Sequence, residues 1–224
     1  MKRDYRKVRL GFERLAPAEM SRRGDEFLAS LQNRRTVREF SSEPVPRELL
    51  EQAVRAAGTA PSGAHQQPWT FVIVSDPEVK LKLREAAEEE ERKNYQGRMP
   101  PEWLEALAPL GTDFVKTHIT DAPQVVVIFR HLYGVLPEGG RRTLYYTQES
   151  CGIAAGFFIA AIHRMGLATL THTPSPMGFL NRVLNRPPNE KPFLLLPVGY
   201  PAEDAAVPDL SRKPLSELAV WVEG

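Results

Sequence analysis

The stretch TAPSGAHQQPW, residues 59–69, is the point around which the rest of the chain is organised. Its small residues, two prolines and glycine predict a rigid, exposed loop rather than a helix or a strand. A helical pattern ends just before it at Gly58, and an apolar run typical of a buried strand follows at 69–74. The loop offers backbone N–H groups and the Ser62 hydroxyl to a planar ligand, although an ordinary helix-to-strand connection has the same composition.

The composition of the 224-residue chain is that of an ordinary soluble protein, with 42% hydrophobic and 25% charged residues. Its 29 basic and 28 acidic residues nearly cancel, which gives no indication of a nucleic-acid or membrane-surface partner. The single Cys151 excludes an intrachain disulfide, and the histidines show no metal-ligand spacing. No apolar run reaches the roughly 20 residues of a membrane span. We therefore expect a cytoplasmic protein without a metal site.

Apolar periodicity predicts an α+β fold, with one sheet covered by helices. The predicted strands span residues 69–74, 124–129, 167–171 and 193–200, with a possible edge strand at 218–222. The predicted helices span residues 24–33, 46–57, 77–96, 100–110, 143–165 and 177–184, of which 143–165 is expected to be the most buried because it is apolar or small all round. Residues 1–23 are polar and basic and predict an N-terminal arm, which leaves 24–224 as a single domain.

Two basic clusters lie far apart in the sequence. Arg34, Arg35 and Arg38 surround Thr36, and Arg212 lies in a proline-bounded tail. Guanidinium groups match phosphate oxygens, so the two clusters would fit one anionic ligand held from both sides, although each alone is also typical of a solvated surface. The sequence has no dinucleotide or nucleotide-phosphate fingerprint, and no nucleophile motif. We therefore expect a bound cofactor to be the reactive part.

Several motifs resemble the nitroreductase superfamily of FMN enzymes: RRTVR at 34–38, APSGAHQQPW at 60–69 and LPVGYP at 196–201. Others resemble, more narrowly, the iodotyrosine deiodinases: GTAPSGAH at 58–65, EEEERKNYQGRM at 88–99, Lys116, THTP at 171–174 and PDLSRKPL at 208–215. The resemblance spans roughly residues 33–218. It implies a nitroreductase-like FMN fold with a mainly antiparallel central sheet flanked by helices. It also implies an intertwined homodimer with flavin sites at the subunit interface, an active-site lid at about 77–116 and a C-terminal extension at about 201–224.

The resemblance also implies roles for individual residues around the flavin. The phosphate would be held by Arg34 and Arg212 with help from Arg35 and Thr36, while Arg38 would face the pyrimidine edge. The isoalloxazine would be lined by Thr171, His172 and Thr173 from one subunit and by Pro61, Ser62 and Gly63 from its neighbour. The catalytic groups would be the Thr173 hydroxyl near flavin N5 and the Ala64 N–H, which would bind the substrate phenolate.

The substrate contacts implied by the resemblance also make physical sense. A zwitterion needs an anion for its ammonium, a cation for its carboxylate and a neutral donor that fixes its orientation. Glu91, Lys116 and Tyr95 are groups of these three types, and Glu91 and Tyr95 are four residues apart on one helix face. Outside this context the run Glu88–Glu91 would be typical of a solvated helix face.

The implied activity is FMN-dependent reductive dehalogenation of halogenated tyrosines, iodotyrosine to tyrosine plus iodide, by one-electron flavin chemistry. The electron donor would be NAD(P)H or a reductase. One alternative is a general NAD(P)H-dependent nitroreductase or quinone reductase on the same scaffold, and another is a flavin or aromatic amino-acid binding protein without turnover. The chain departs from the resemblance at Thr36, where serine is common, and at His172, where membrane-anchored members have threonine. The membrane anchor of those members is also absent, which predicts a soluble homologue.

Overall fold

The computed structural model describes residues 5–223, and its contacts divide the chain into two compact units, Met1–Arg34 and Arg35–Gly224. The first unit contains one helix, α1 (Pro17–Gln32), which begins seven residues before the predicted start at Gly24. Pro17 occupies the first helical turn, where its missing N–H costs nothing. Residues 1–4 of the predicted arm lie outside the described residues. The division into an arm, 1–23, and a domain, 24–224, stays a prediction.

The second unit is an antiparallel sheet flanked by helices. Its strands are β1 (Trp69–Val74), β2 (Gln124–His131), β3 (Gly134–Val135), β4 (Arg141–Arg142), β5 (Ala168–Thr169) and β6 (Glu190–Gly199). Its helices are α2 (Arg47–Gly58), α3 (Pro77–Lys93), α4 (Pro101–Leu107), α5 (His118–Asp121), α6 (Thr147–Arg164), α7 (Phe179–Val183) and α8 (Leu215–Leu218). The main sheet has the order β1-β2-β6-β5, and all its pairs are antiparallel. The predicted α+β fold with a mainly antiparallel sheet is confirmed.

The sheet separates two hydrophobic cores. In one core, α2 and α6 cover the central strands through Leu50, Phe158 and Ile162. In the other, α3 and α7 cover the opposite face through Leu83 and Leu180. Successive residues of β2 point alternately into the two cores, which explains why this strand is apolar throughout.

Helix α6 is buried on one side only, although its sequence is apolar or small all round. The inner face includes Cys151, Phe158 and Ile162, all fully buried. The outer face carries Ile153 and Phe157, which remain 41% and 43% exposed within the single chain. An exposed apolar stripe of this kind is typical of a surface that another protein covers.

The structure contradicts two further sequence predictions, one for a strand and one for the start of a helix. The predicted edge strand at 218–222 does not form: Leu218 ends α8, and the following apolar residues are exposed with no strand partner among the described residues. The predicted helix 143–165 begins only at Thr147, because Tyr146 has a left-handed backbone with φ 50° that cannot continue a helix. No helix among residues 5–223 is both long and apolar enough to cross a bilayer.

Candidate active site

A cavity of about 210 Å³ lies in the second unit, and we call it the Lys116 cavity. It gathers seven of the predicted site residues from four separate parts of the sequence: Arg38, Glu91, Tyr95, Lys116, Thr171, His172 and Thr173. The apolar part of its wall comes from Met99, Trp103, Leu107, Leu110 and Leu170. The predicted zwitterion-binding set and the predicted flavin-lining segment 171–173 therefore meet at one site.

Helix α3 presents Glu91 to this cavity because of its position in the helix. Leu83, Ala87 and Glu91 are four residues apart, so they share the face that packs against the core, and all three are buried. The interpretation of Glu88–Glu91 as one solvated face is thus wrong for Glu91. Asn94 continues the same face, and its side-chain amide donates to the Ser175 carbonyl at 2.9 Å. The apolar period of α3 is the sequence signal that separates Glu91 from its neighbours.

Lys116 and Glu91 form a buried ion pair, with 3.5 Å between Lys116 Nζ and Glu91 Oε2. The two residues are only 3% and 7% exposed. The Lys116 ammonium also donates to the Thr112 hydroxyl at 3.3 Å and to the Asp113 carbonyl. Burial lowers the pKa of Lys116, while the Glu91 carboxylate opposes that shift. Such a pair holds one positive and one negative group beside the cavity, where a ligand carrying both charges can exchange partners with it.

Tyr95 and Glu88 complete this arrangement. Tyr95 lies in the π-helical turn Asn94–Arg98, and its hydroxyl donates to the Thr112 carbonyl at 2.9 Å. Burial raises the pKa of the Tyr95 phenol, which therefore remains a neutral donor. Glu88 accepts a hydrogen bond from the Lys116 backbone N–H at 2.9 Å and is paired with Arg84 at 2.7 Å. Sequence reasoning missed this role of Glu88, because only the folded chain brings 116 next to α3.

Neighbouring side chains of the segment 171–173 point in opposite directions. Thr171 and Thr173 are exposed, whereas His172 between them is buried. The alternation is that of an extended chain, and the His172 backbone is paired with Leu195 of β6 through two hydrogen bonds of 2.9 and 3.0 Å. The two threonines are thus placed toward solvent and a possible ligand, while the His172 imidazole points to Glu91, with 3.9 Å between Nε2 and Oε1.

His172 and His118 form a buried edge-to-face pair, with ring centroids 5.4 Å apart. Burial lowers the pKa of His118 to about 3, and Lys116 and Arg38 add to that shift. Burial, the neighbouring His118 and Lys116 hold the pKa of His172 well below its usual range. Both rings are therefore neutral near pH 7. Nε2 of His118 and both ring nitrogens of His172 have no hydrogen-bond partner within residues 5–223.

The loop of residues 59–69 contacts the chain before α6 at two points. Gly63 packs against the chain before α6 so closely that a Cβ atom there would lie 2.4 Å from the Tyr145 carbonyl oxygen, so only glycine fits. Gln66 ties the loop to the same segment, donating to the Thr143 carbonyl at 3.2 Å and accepting from the Tyr145 N–H at 2.9 Å. Ala64 has a left-handed backbone with φ 50°.

This loop does not line the Lys116 cavity within one chain. Pro61 and Ala64 are exposed, and Ser62 and Gly63 are half-buried. The Ser62 hydroxyl accepts from the Gln67 N–H at 2.9 Å, and the Gly63 N–H donates to the Ser150 hydroxyl at 3.3 Å. The structure thus leaves the four predicted loop residues apart from the rest of the predicted site.

The basic residues lie near the start and the end of the chain. Arg34 belongs to the first unit, and Arg35, Thr36 and Arg38 to the second. The Arg35 guanidinium donates to the Pro208 carbonyl, which fastens the C-terminal segment beside this cluster, and the exposed Arg212 follows in that segment. Thr36 forms a β-bridge with Thr169.

Comparisons with known proteins agree with this fold and site. The model of the nitroreductase family matches residues 31–200. An iodotyrosine deiodinase of Haliscomenobacter hydrossis is 59% identical over 88% of this chain and 89% of its own length. The human iodotyrosine deiodinase 1 is 47% identical over 91% of this chain and 71% of its own. A crystal structure of oxidised iodotyrosine deiodinase bound to FMN and 3-iodo-L-tyrosine superposes with a TM-score of 0.73, at 28% identity over 88% of this chain and 97% of that one.

The fold, the cavity and the family match make this chain a member of the nitroreductase family. Within that family it belongs with the iodotyrosine deiodinases, since relatives of that name are up to 59% identical across nearly its whole length.

Proposed function

We propose that this chain is an FMN-dependent oxidoreductase that removes the halogen from halogenated tyrosines, releasing tyrosine and halide. The observation that carries this proposal is the buried pair of Lys116 and Glu91 beside Tyr95 at the Lys116 cavity. A general reductase of nitroaromatics or quinones has no use for two opposite buried charges at its substrate site. The names of the relatives and the FMN and 3-iodo-L-tyrosine of the related crystal structure support the same reaction.

The residues present fit FMN. The half-buried Arg38 guanidinium lines the cavity and has no hydrogen-bond or ion-pair partner within the described residues, so it suits an acceptor-rich ring edge. The phosphate would be held by Arg35, Thr36 and Arg212, and the ring by Arg38, the segment 171–173 and the loop residues Pro61, Ser62 and Gly63 of a second subunit. Bound FMN would supply the two electrons, one at a time, for reducing the carbon–halogen bond.

The chain's own groups would bind and orient the amino-acid part of the substrate. The substrate carboxylate would pair with Lys116, and the substrate ammonium would pair with Glu91. Two new ion pairs would then replace one, so no buried charge would be left unpaired. Tyr95 would fix the orientation as a neutral donor. Thr173 would place its hydroxyl at the reacting edge of the cofactor, and the Ala64 N–H would bind the phenolate. The carbon that loses halide takes up one proton and two electrons, which balances the reaction.

The first test compares two substrates that differ only at the zwitterion. With dithionite-reduced holoenzyme, 3-iodo-L-tyrosine should release iodide with a kcat/KM about 100-fold or more above that of 2-iodophenol, because the smaller phenol lacks both charged contacts. Iodide release would be measured with a halide electrode. Equal values for the two compounds, together with efficient NADPH-driven reduction of a nitroaromatic, would support the general reductase instead.

We also propose that the working enzyme is a homodimer. Within one chain the predicted loop residues do not line the Lys116 cavity, and the outer face of α6 exposes Ile153 and Phe157. Both observations are accounted for by a second copy that covers α6 and contributes residues 61–64. Sedimentation equilibrium of the holoenzyme should give twice the 25.2 kDa chain mass. A monomer that still holds FMN would contradict this arrangement. A cytoplasmic location stays a prediction, which cell fractionation would test.

A further inference from the structure

One buried side chain at the Lys116 cavity has no role in the mechanism above. His172 is 9% exposed, and neither ring nitrogen has a hydrogen-bond partner within residues 5–223. A buried polar group without a partner is rare and costly, so it usually meets one in the working state of the protein. Its backbone is held by two hydrogen bonds to Leu195, which set the side of the chain from which the imidazole projects.

The group that faces the His172 ring is Glu91. Glu91 Oε2 lies 3.5 Å from Lys116 Nζ, while Glu91 Oε1 lies 3.9 Å from His172 Nε2. The two oxygens thus have different neighbours, a cation on one side and a neutral ring on the other. The second distance is about 1 Å longer than an N–H···O hydrogen bond, so a small rotation of the carboxylate closes it.

Substrate binding supplies a reason for that rotation. When Lys116 turns to a substrate carboxylate, Glu91 loses its present partner and must be held for the incoming ammonium. A neutral imidazole with its hydrogen on Nε2 can donate to Oε1 without cancelling the negative charge that attracts the ammonium. A cation at this position would compete with the substrate. The edge of His118, 5.4 Å away between ring centroids, packs against the ring and keeps it in place.

We propose that His172 is a positioning residue, whose Nε2–H holds the Glu91 carboxylate in the orientation that receives the substrate ammonium. This inference rests on the proposed function, since it requires an amino-acid substrate. It assigns the side chain a role distinct from the flavin contact implied for the segment 171–173, which the backbone and the two threonines can make without it.

The test uses two nearly isosteric replacements, His172→Met, which has no donor, and His172→Gln, which has one at a similar distance from the backbone. Dissociation constants for the FMN holoenzymes would be measured by ligand-induced changes in flavin fluorescence. We expect His172→Met to weaken 3-iodo-L-tyrosine binding about 10-fold, the order of one hydrogen bond to a charged group, and His172→Gln to restore most of it. Binding of 3-(4-hydroxy-3-iodophenyl)propanoate, which lacks the amine, should change less than about 2-fold in both.

A double substitution shows whether His172 acts through Glu91. In a Glu91→Gln background, His172→Met should cause no further loss. An equal loss for the amine-free compound, an equal loss for the Gln and Met variants, or a full further loss in the Glu91→Gln background would each overturn the inference. If His172→Met fails to retain FMN, His172→Thr, whose hydroxyl is too short to reach Glu91, replaces it in the same comparison of the two ligands, since a merely structural role weakens both equally. Failure of the wild type to bind 3-iodo-L-tyrosine would instead overturn the proposed function, and this inference with it.

Discussion

Replacing Lys116 with glutamine is expected to weaken the binding of 3-iodo-L-tyrosine by about 1.5–3 kcal/mol while FMN stays bound. The ammonium of Lys116 is 3% exposed and is the only cation within 4 Å of Glu91 Oε2 in the described residues. Glutamine keeps a polar N–H donor, one bond shorter, but has no charge for the substrate carboxylate. The loss corresponds to about 10- to 150-fold in the dissociation constant, which flavin fluorescence can follow on ligand titration.

The same substitution has a second consequence, for stability. It leaves the Glu91 carboxylate buried without a cation, and breaking a buried ion pair on one side costs several kcal/mol. The binding measurement therefore needs a temperature at which urea unfolding shows the variant to be folded.

Lys93→Gln is the matched control, because Lys93 lies near Glu91 on α3 but its side chain is 45% exposed and, within residues 5–223, pairs with Glu89 and Glu90. It should bind both ligands like the wild type. Loss of FMN from Lys116→Gln, with Lys93→Gln unaffected, would show that Lys116 serves the cofactor and not the substrate.

Lowering the pH is expected to destabilise the folded chain, because its buried histidines resist protonation. The contribution of His118 to this effect can be measured separately by a single substitution. Burial first, then Lys116, Arg38 and Arg84, lower the pKa of His118 to about 3, and Glu88 opposes this only in part. A histidine in the unfolded chain titrates near pH 6.5. Below that pH the unfolded chain binds a proton that the folded chain does not, so the free energy of unfolding falls as the pH falls. The loss ends near pH 3, where the folded ring also becomes protonated.

For one such histidine the free energy of unfolding changes by about 1.4 kcal/mol per pH unit. His172, whose pKa is also lowered, adds a slope of the same sign. Urea unfolding of the holoprotein at pH 6, 5 and 4, with the same excess of FMN, would measure the total. His118→Asn should remove about 1.4 kcal/mol per pH unit from it, whatever its effect on stability at pH 7.

His65→Asn is the matched histidine control, since His65 is solvent-exposed and lies outside the buried pair of His118 and His172. Asparagine is also tolerated at its left-handed backbone conformation. An unchanged slope in His118→Asn would mean that the His118 ring accepts a proton in the folded protein.

Much of the fold could be predicted because it depends on local patterns. The apolar run at 124–129 predicted the strand β2, and the helical period at 46–57 predicted the helix α2. The predicted edge strand at 218–222 is wrong for a different reason. Its residues have strand-forming side chains, but strand propensity is expressed only where another strand offers backbone partners, and the described residues offer none there.

The candidate site could be predicted in its residue types but not in its contacts. Motif resemblance selected Glu91, Tyr95 and Lys116 together, and the structure brings all three to one cavity. The spacing of residues in the sequence did not predict that Glu88 contacts the backbone of Lys116 or that His172 faces Glu91. Both contacts join segments that are 28 or more residues apart, so they depend on how the helices pack on the sheet.

The sequence by itself determined most of the helices and strands and the chemistry available, because hydrophobic period and residue type are properties of short segments. It also placed a loop at 59–69, because prolines, glycine and small residues disfavour a helix or a strand there. Only the tertiary structure decided which charges are buried. Glu91 and Glu90 are neighbours of the same type, yet one faces the cavity and the other pairs with Arg98 at the surface. The physical reason is that the energy of a charge depends on its surroundings, which distant parts of the chain supply when they fold together.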